Sequence, residues 1–198
     1  MEGLVAFIDG KLWKIPRPAR FQQVMYSGHK RIHGIKTQGL VFPNGVQPYP
    51  FGPVNGARHD SYVLRQSEVL EMMDEVETMT GTTYRLFGDS AYPQHKHLWA
   101  MYKEVPGHPL AQWQLAFNAD MSPECVTVEW GFGKIVTQCP FVDFRAKMKV
   151  LLSPIGLYLE IANIITNMHT CLMGSAVSRK YGLGAPSLHA YMSGNGKH

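Results

Sequence analysis

The sequence predicts an α/β fold, a mixed sheet flanked by helices, and two observations carry that expectation. A short apolar run near the start, Leu4-Val5-Ala6-Phe7-Ile8, has the length and continuity of a strand buried on both faces. Helical spacing then accumulates late, so the order reads strand, hairpin, helix, strand, helix, helix.

The elements follow in turn. The first strand is expected to end at Asp9-Gly10. Residues 31–42 alternate loosely and stop at Pro43-Asn44-Gly45, a turn that predicts a hairpin with residues 46–54 as its second arm. Pro48, Pro50 and Pro53 make that arm an edge or irregular strand. Asp60-Ser61 offers an N-cap. Val69, Met72, Met73, Val76 and Met79 then predict one helix over roughly residues 61–79, stopping near Gly81. Tyr84 to Phe87 reads as a short strand running into Gly88-Asp89-Ser90, and residues 91–121 as loop with short helix. Ser122-Pro123-Glu124 has the cap, first-turn proline and acid of a helix start, with the helix ending before Pro140. A last long helix follows Ser153-Pro154, with Leu157, Ile161, Ile164, Ile165, Met168 and Leu172 on one face. The chain is expected to divide into one domain over residues 1–173 and a loosely held tail over 174–198, rich in Ser, Gly, Lys and His.

Composition excludes several classes. With 198 residues and 45% hydrophobic content the chain suits one globular domain, not a disordered segment. No apolar run reaches the ~18 residues of a membrane span, and the first residues lack the basic start and cleavage site of a signal peptide. Cys125, Cys139 and Cys171 form no CxxC pair, which points to a reducing intracellular compartment without a zinc module. The net charge of +4 hides an uneven distribution. Between Gly10 and His59 stand eight basic residues, Lys11, Lys14, Arg17, Arg20, Lys30, Arg31, Lys36 and Arg58, and no acid. Glu68, Glu71, Asp74, Glu75 and Glu77 follow; a second basic group, Lys134, Arg145, Lys147 and Lys149, is opposed only by Asp143. One-sided basic stretches attract polyanions, nucleic acid above all, although charges this far apart in sequence can also balance on a folded surface.

Three carboxylates stand out. Asp9 and Asp89 each follow a short apolar strand, where open α/β sheets place their site crevice. Glu129 sits among Val126, Val128, Trp130 and Phe132, a costly setting for an acid unless it is paired or binds a cation. Convergent carboxylates suit Mg²⁺ or Mn²⁺, and two such ions can drive phosphodiester chemistry. The ordinary readings remain open: Asp9 and Asp89 as turn or cap residues, and Glu129 bridged to Lys134 or Arg145.

An ordered set of segments then carries a resemblance. They are Phe7-Ile8-Asp9-Gly10; Tyr26-Ser27-Gly28-His29-Lys30-Arg31-Ile32-His33-Gly34-Ile35-Lys36-Thr37-Gln38; Gly52-Pro53-Val54 with Arg58-His59-Asp60; Phe87-Gly88-Asp89-Ser90-Ala91-Tyr92-Pro93; Phe117-Asn118; Val128-Glu129-Trp130-Gly131-Phe132-Gly133-Lys134; and Thr166-Asn167-Met168-His169. The chain resembles the DDE superfamily endonuclease domain of Harbinger-type eukaryotic transposases over residues 7 to about 170. The resemblance implies an RNase H-like fold, an acidic triad of Asp9, Asp89 and Glu129, and a divalent Mg²⁺ or Mn²⁺ cofactor. It also implies DNA cleavage with joining of 3′ ends, and work in the nucleus, the cytoplasm being the other compartment open to such a chain.

Asp60 is a candidate fourth acid at a motif position, but as the residue opening a helix it reads better as an N-cap. Lys30, Arg31, Lys36 and Arg58 are the candidate DNA contacts, and His29 and His33 suit phosphate or strand packing better than metal. Many relatives of this type carry Arg directly after the triad Glu, where this chain has Trp130, and another Arg near Cys125. Only eight residues precede Asp9, leaving no room for the helix-turn-helix that such transposases usually carry. The alternatives are therefore an inactive DNA- or protein-binding relic, or a fragment lacking its N-terminal DNA-binding segment that depends on another domain or a Myb-like DNA-binding partner; a homo-oligomer is a separate expectation.

Overall fold

The computed structural model describes residues 3–48, 50–143, 148–150 and 152–194. The first strand, β1 (Leu4–Lys14), runs on through Asp9 and Gly10 instead of stopping there. The apolar run marked only the part covered on both faces, Ala6 to Ile8; beyond it Trp13 alone is buried, its indole N–H donating to Thr37 Oγ1 at 2.8 Å. A helical turn, α1 (Gln22–Met25), and a two-residue strand, β2 (Tyr26–Ser27), lead into β3 (Ile32–Val41) and β4 (Phe51–Asn55). β3 and β4 form the expected hairpin, although its second arm starts at Phe51. At the turn Asn44 Oδ1 accepts the Val46 N–H at 3.0 Å, and Gly45 takes the left-handed φ of 83° that suits glycine.

The single helix expected over 61–79 is two, α2 (Asp60–Gln66) and α3 (Val69–Thr80). The break is at Ser67-Glu68, where Glu68 is left-handed and Ser67 Oγ donates to the Leu64 carbonyl while accepting from Gln38. Next come β5 (Arg85–Gly88) and β6 (Leu98–Ala100), the latter a strand within the stretch expected to be loop and short helix. α4 (Gln112–Gln138) starts ten residues before the expected Ser122 and carries Pro123 inside it. Tertiary contacts hold the upstream turns: the Phe117 ring packs against Phe87, Trp99 and Tyr102, and the Asn118 amide pairs with both backbone groups of Tyr102 at 2.8 Å.

The sheet runs β2-β3-β1-β5-β6, with β4 also paired to β3. β1 is antiparallel to β3 and parallel to β5, and β6 is parallel to β5. Alternation along β1 and β5 divides the core. Phe7 and Phe87 face α4, packing with Val128, Phe132 and Ile135. Ala6, Ile8 and Leu86 face α2 and α3, packing with Leu64, Val69 and Met73. This curled mixed sheet flanked by helices is compatible with an RNase H-like fold.

Three helices complete the described residues: α5 (Ile155–Met173), α6 (Ala176–Tyr181) and α7 (Leu188–Ser193). The segment expected to be a loose tail from residue 174 thus holds two helices; Val177 is buried, and the Tyr181 ring stacks on Phe7 at 5.4 Å. α5 lies where expected but faces the other way. Leu157, Ile161, Ile164, Ile165 and Leu172 are exposed, while Asn163, Thr166, Asn167 and Thr170 are buried. That inner face meets a loop: Asn167 Oδ1 accepts the Gln47 N–H at 2.9 Å, and Asn163 and Asn167 both donate to the Gln47 carbonyl. Loop backbone needs polar partners, which selects amides over aliphatics there. No helix among the described residues is long and apolar enough to cross a membrane.

Candidate functional site

Strand register brings the two aspartates together. Phe7 pairs with Phe87 and Ile8 with Gly88 in the parallel ladder, so Asp9 and Asp89 are the next residues on neighbouring chains. β5 ends at Gly88 while β1 continues, and the sheet therefore opens at this level. Asp9 shares the Phe7 face, toward α4.

Glu129 comes from α4, and two glycines set how close that helix lies. A Cβ on Gly131 would fall 2.6 Å from Val41 Cγ2, and one on Gly39 of β3 would fall 2.8 Å from the Phe132 ring. With Val128 and Phe132 buried, Glu129 and Trp130 point outward. Glu129 is thus exposed at the rim of a cleft, not enclosed by its apolar neighbours. The cleft is lined by Asp9, Asp89, Glu129 and Cys125 over a floor of Phe7 and Phe87. The bridge from Glu129 to Lys134 does not form: the Lys134 ammonium donates to Thr170 Oγ1 at 2.8 Å and to the Gly174 carbonyl at 2.7 Å. Arg145 and Lys147 lie outside the described residues.

The cleft is electrostatically uncompensated. Among the described residues no basic side chain forms an ion pair with Asp9, Asp89 or Glu129. Burial pushes the Asp9 carboxyl up to about 7, reinforced by Asp89, Asp60 and Glu129 and opposed by the Gly10 N–H at 2.7 Å. Asp89 is raised by burial and by Asp60, against a hydrogen bond from the Ala91 N–H at 2.9 Å and the charge of Lys36. Asp89 is therefore a turn residue as well as a cleft acid. Burial, reinforced by Asp89, Asp9, Glu129 and Glu124, raises the Cys125 thiol to about 11. Three oxygen donors short of positive charge fit a hard divalent cation.

Asp60 corrects the capping expectation. The N-cap of α2 is His59, no side chain caps it, and Asp60 is the first helical residue. Its carboxylate lies over β1, where a Cβ on Gly10 would fall 1.8 Å from Oδ1. Lys36, from β3, holds Asp60 Oδ1 at 3.1 Å with both side chains mostly buried. Lys36 thus stands at the acid cluster, apart from Lys30, Arg31 and Arg58, which are exposed. Lys30 and Arg31 form the turn between β2 and β3, and the Arg58 guanidinium stacks on Tyr62 at 4.4 Å. His29 is exposed, and the His33 ring packs on Tyr26 at 5.1 Å.

Sequence reading missed Tyr92. Its ring covers Gly88, its buried hydroxyl has no hydrogen-bond partner, and burial with Asp60, Asp9 and Asp89 raises it well above the usual tyrosine range. Its sequence signal was its place in the segment Phe87 to Pro93 that carries the resemblance, three residues after Asp89.

A second group also went unread. Asp74, Glu77 and His97 bring possible metal-ligating atoms within 4.8 Å of one another. His97 Nδ1 lies 2.8 Å from the Tyr84 carbonyl, and Nε2 lies 3.1 Å from Asp74 and 3.4 Å from Glu77. The Lys96 ammonium already bridges these acids, at 2.5 Å and 3.1 Å. Hydrogen bonds from Lys96 and, for Glu77, from Thr83 hold both carboxyls below their usual range. This group carries its own counter-charge, which the Asp9 cleft lacks.

Comparisons with curated proteins and with solved structures return no match. The model of one protein family, described as DDE superfamily endonuclease, matches residues 8–167, a span that contains Asp9, Asp60, Asp89 and Glu129. The chain belongs to the DDE superfamily endonuclease family.

Proposed function

We propose that this chain is the catalytic domain of a Harbinger-type transposase, a metal-dependent DNA endonuclease in which Asp9, Asp89 and Glu129 hold two Mg²⁺ or Mn²⁺ ions. The observation that carries this reading is the register of β1 and β5, which sets Asp9 beside Asp89 across the cleft from Glu129. Bound ions would activate the attacking water or 3′-hydroxyl and stabilise the leaving oxygen. The protein's own part is placement, with two carboxylates fixed by the sheet and the third by the glycine-tightened seat of α4. Lys30, Arg31 and Arg58 would grip phosphates. From Arg31 to Gly39, level with Asp9, β3 covers about 26 Å, so a duplex in the cleft must extend about eight base pairs to touch both. Such an enzyme works in the nucleus, with end recognition supplied by a further domain or a Myb-like protein.

The test is Mn²⁺-supported cleavage of plasmid DNA. Asp89→Asn should lower the rate at least ~100-fold with the fold intact; a rate equal to the unmutated chain would remove Asp89 from the chemistry. Trp130, standing where many Harbinger-type relatives carry Arg, favours a second reading as a DNA-binding relic. Salt-dependent DNA binding without metal-dependent cutting by the unmutated chain would select it.

A further inference from the structure

α5 is apolar outside and polar inside. Its inner face is committed to the loop around Gln47 through Asn163 and Asn167. Its outer face carries Leu157, Ile161, Ile164, Ile165, Met168 and Leu172, of which all but the half-buried Met168 are 39–65% exposed. The 19-residue helix holds one Asp, Glu, Lys or Arg, namely Glu160. We propose that this face is a homodimer interface, with α5 of a second copy as its occupant.

Three features select a second copy. The stripe offers no charge, so neither DNA nor a charged protein surface finds a complement on it. Residues 157, 161, 164 and 168 alternate steps of four and three, the spacing of a helix–helix seam, and the stripe is about 22 Å long. A two-fold axis through the middle of such an uncharged stripe lays like against like, which is the closed contact most homodimers use. The area agrees. The six side chains expose on the order of 500 Å² of apolar surface, the size of the largest patch on a typical monomer, which is often functional. Two copies together would bury on the order of 1,000 Å², the lower bound of a specific interface.

Sedimentation equilibrium of the chain, up to about 100 µM, decides the matter. The mass should rise with concentration from 22.3 kDa toward twice that value. Ile161→Lys with Ile164→Lys should weaken association at least ~100-fold, with helix content unchanged and Tm unchanged at dilutions where both chains are monomers, since both positions are open in the monomer. Should the double variant not fold, Ile164→Gln alone should weaken association about tenfold. A constant 22.3 kDa at the highest concentration would overturn the proposal, as would a dimer whose affinity ignores the substitutions in a folded variant.

Discussion

Asp9 can be tested without any cleavage assay, because its environment makes stability depend on pH in an unusual direction. Folding moves this carboxyl from 3.8 to about 7. Below 3.8 both states keep the proton and Asp9 contributes nothing differential. Between 3.8 and about 7 the unfolded chain releases it while the folded chain retains it, so stability falls as pH rises. Above about 7 the loss is complete and constant. That interval corresponds to about 4 kcal/mol at most, and solvent at the cleft mouth reduces it to about 2–4 kcal/mol. Asp9→Asn keeps a carbonyl oxygen for the Gly10 N–H but cannot ionise. The variant should match the unmutated chain near pH 4 and exceed its Tm by about 5–10 °C at pH 8 without divalent ions. Thermal unfolding of both chains from about pH 4 to 8.5, followed by circular dichroism in a chelator, reads the difference, and titrating groups not coupled to Asp9 cancel in it. Divalent ion should then stabilise the unmutated chain by about 2.7 kcal/mol at one hundred times Kd and leave the variant nearly unmoved. A Tm difference that stays flat with pH would refute the claim that the cleft holds a strained, uncompensated acid.

Three further outcomes follow from the same geometry. Gly10→Ala places a methyl group 1.8 Å from the Asp60 carboxylate oxygen, so Asp60 must leave Lys36; the loss should be about 1–3 kcal/mol, read from the urea midpoint. Lys36→Met strands Asp60 without its counter-charge and should cost about 3 kcal/mol at pH 8, most of it recovered when Asp60→Asn is added, in a double-mutant cycle. Lys30→Ala with Arg31→Ala should weaken DNA binding and lower the salt slope by about 2, measured by fluorescence anisotropy against salt concentration.

The sequence made visible whatever depended on local pattern. The buried run Ala6 to Ile8, the turn at Asn44-Gly45, the glycine stop at Gly81 and the position of α5 all follow from neighbours in the chain. Long-range packing hid the rest. Ser122-Pro123-Glu124 has every local mark of a helix start, yet Phe117 and Asn118 are held helical by Phe87, Trp99 and Tyr102. Asp60 has the composition of a cap, but the space above Gly10 and the ammonium of Lys36 claim its carboxylate. Apolar spacing identifies which residues of α5 share a face and is silent on what that face meets. The two aspartates were readable as strand-end acids, whereas their adjacency required the parallel register of β1 with β5.

The two acid groups of this molecule separate structural from chemical use of carboxylates. Asp74 and Glu77 face Lys96 and His97, and their carboxyls are held low, so ionised acid already has its cation. Asp9 and Asp89 follow paired residues of β1 and β5, but burial raises both, Asp60 adds to each, and Asp89 adds to Asp9. Lys36 pairs with Asp60 and reaches Asp89 only as a weaker opposing charge. A fold that pairs a lysine with the fourth acid and, among the described residues, none with the first two has left a charge deficit at one level of the sheet. Positive charge added there should stabilise the folded chain, and removal of an acid should do the same, which is the behaviour expected of a binding site and the reverse of a salt-bridged core.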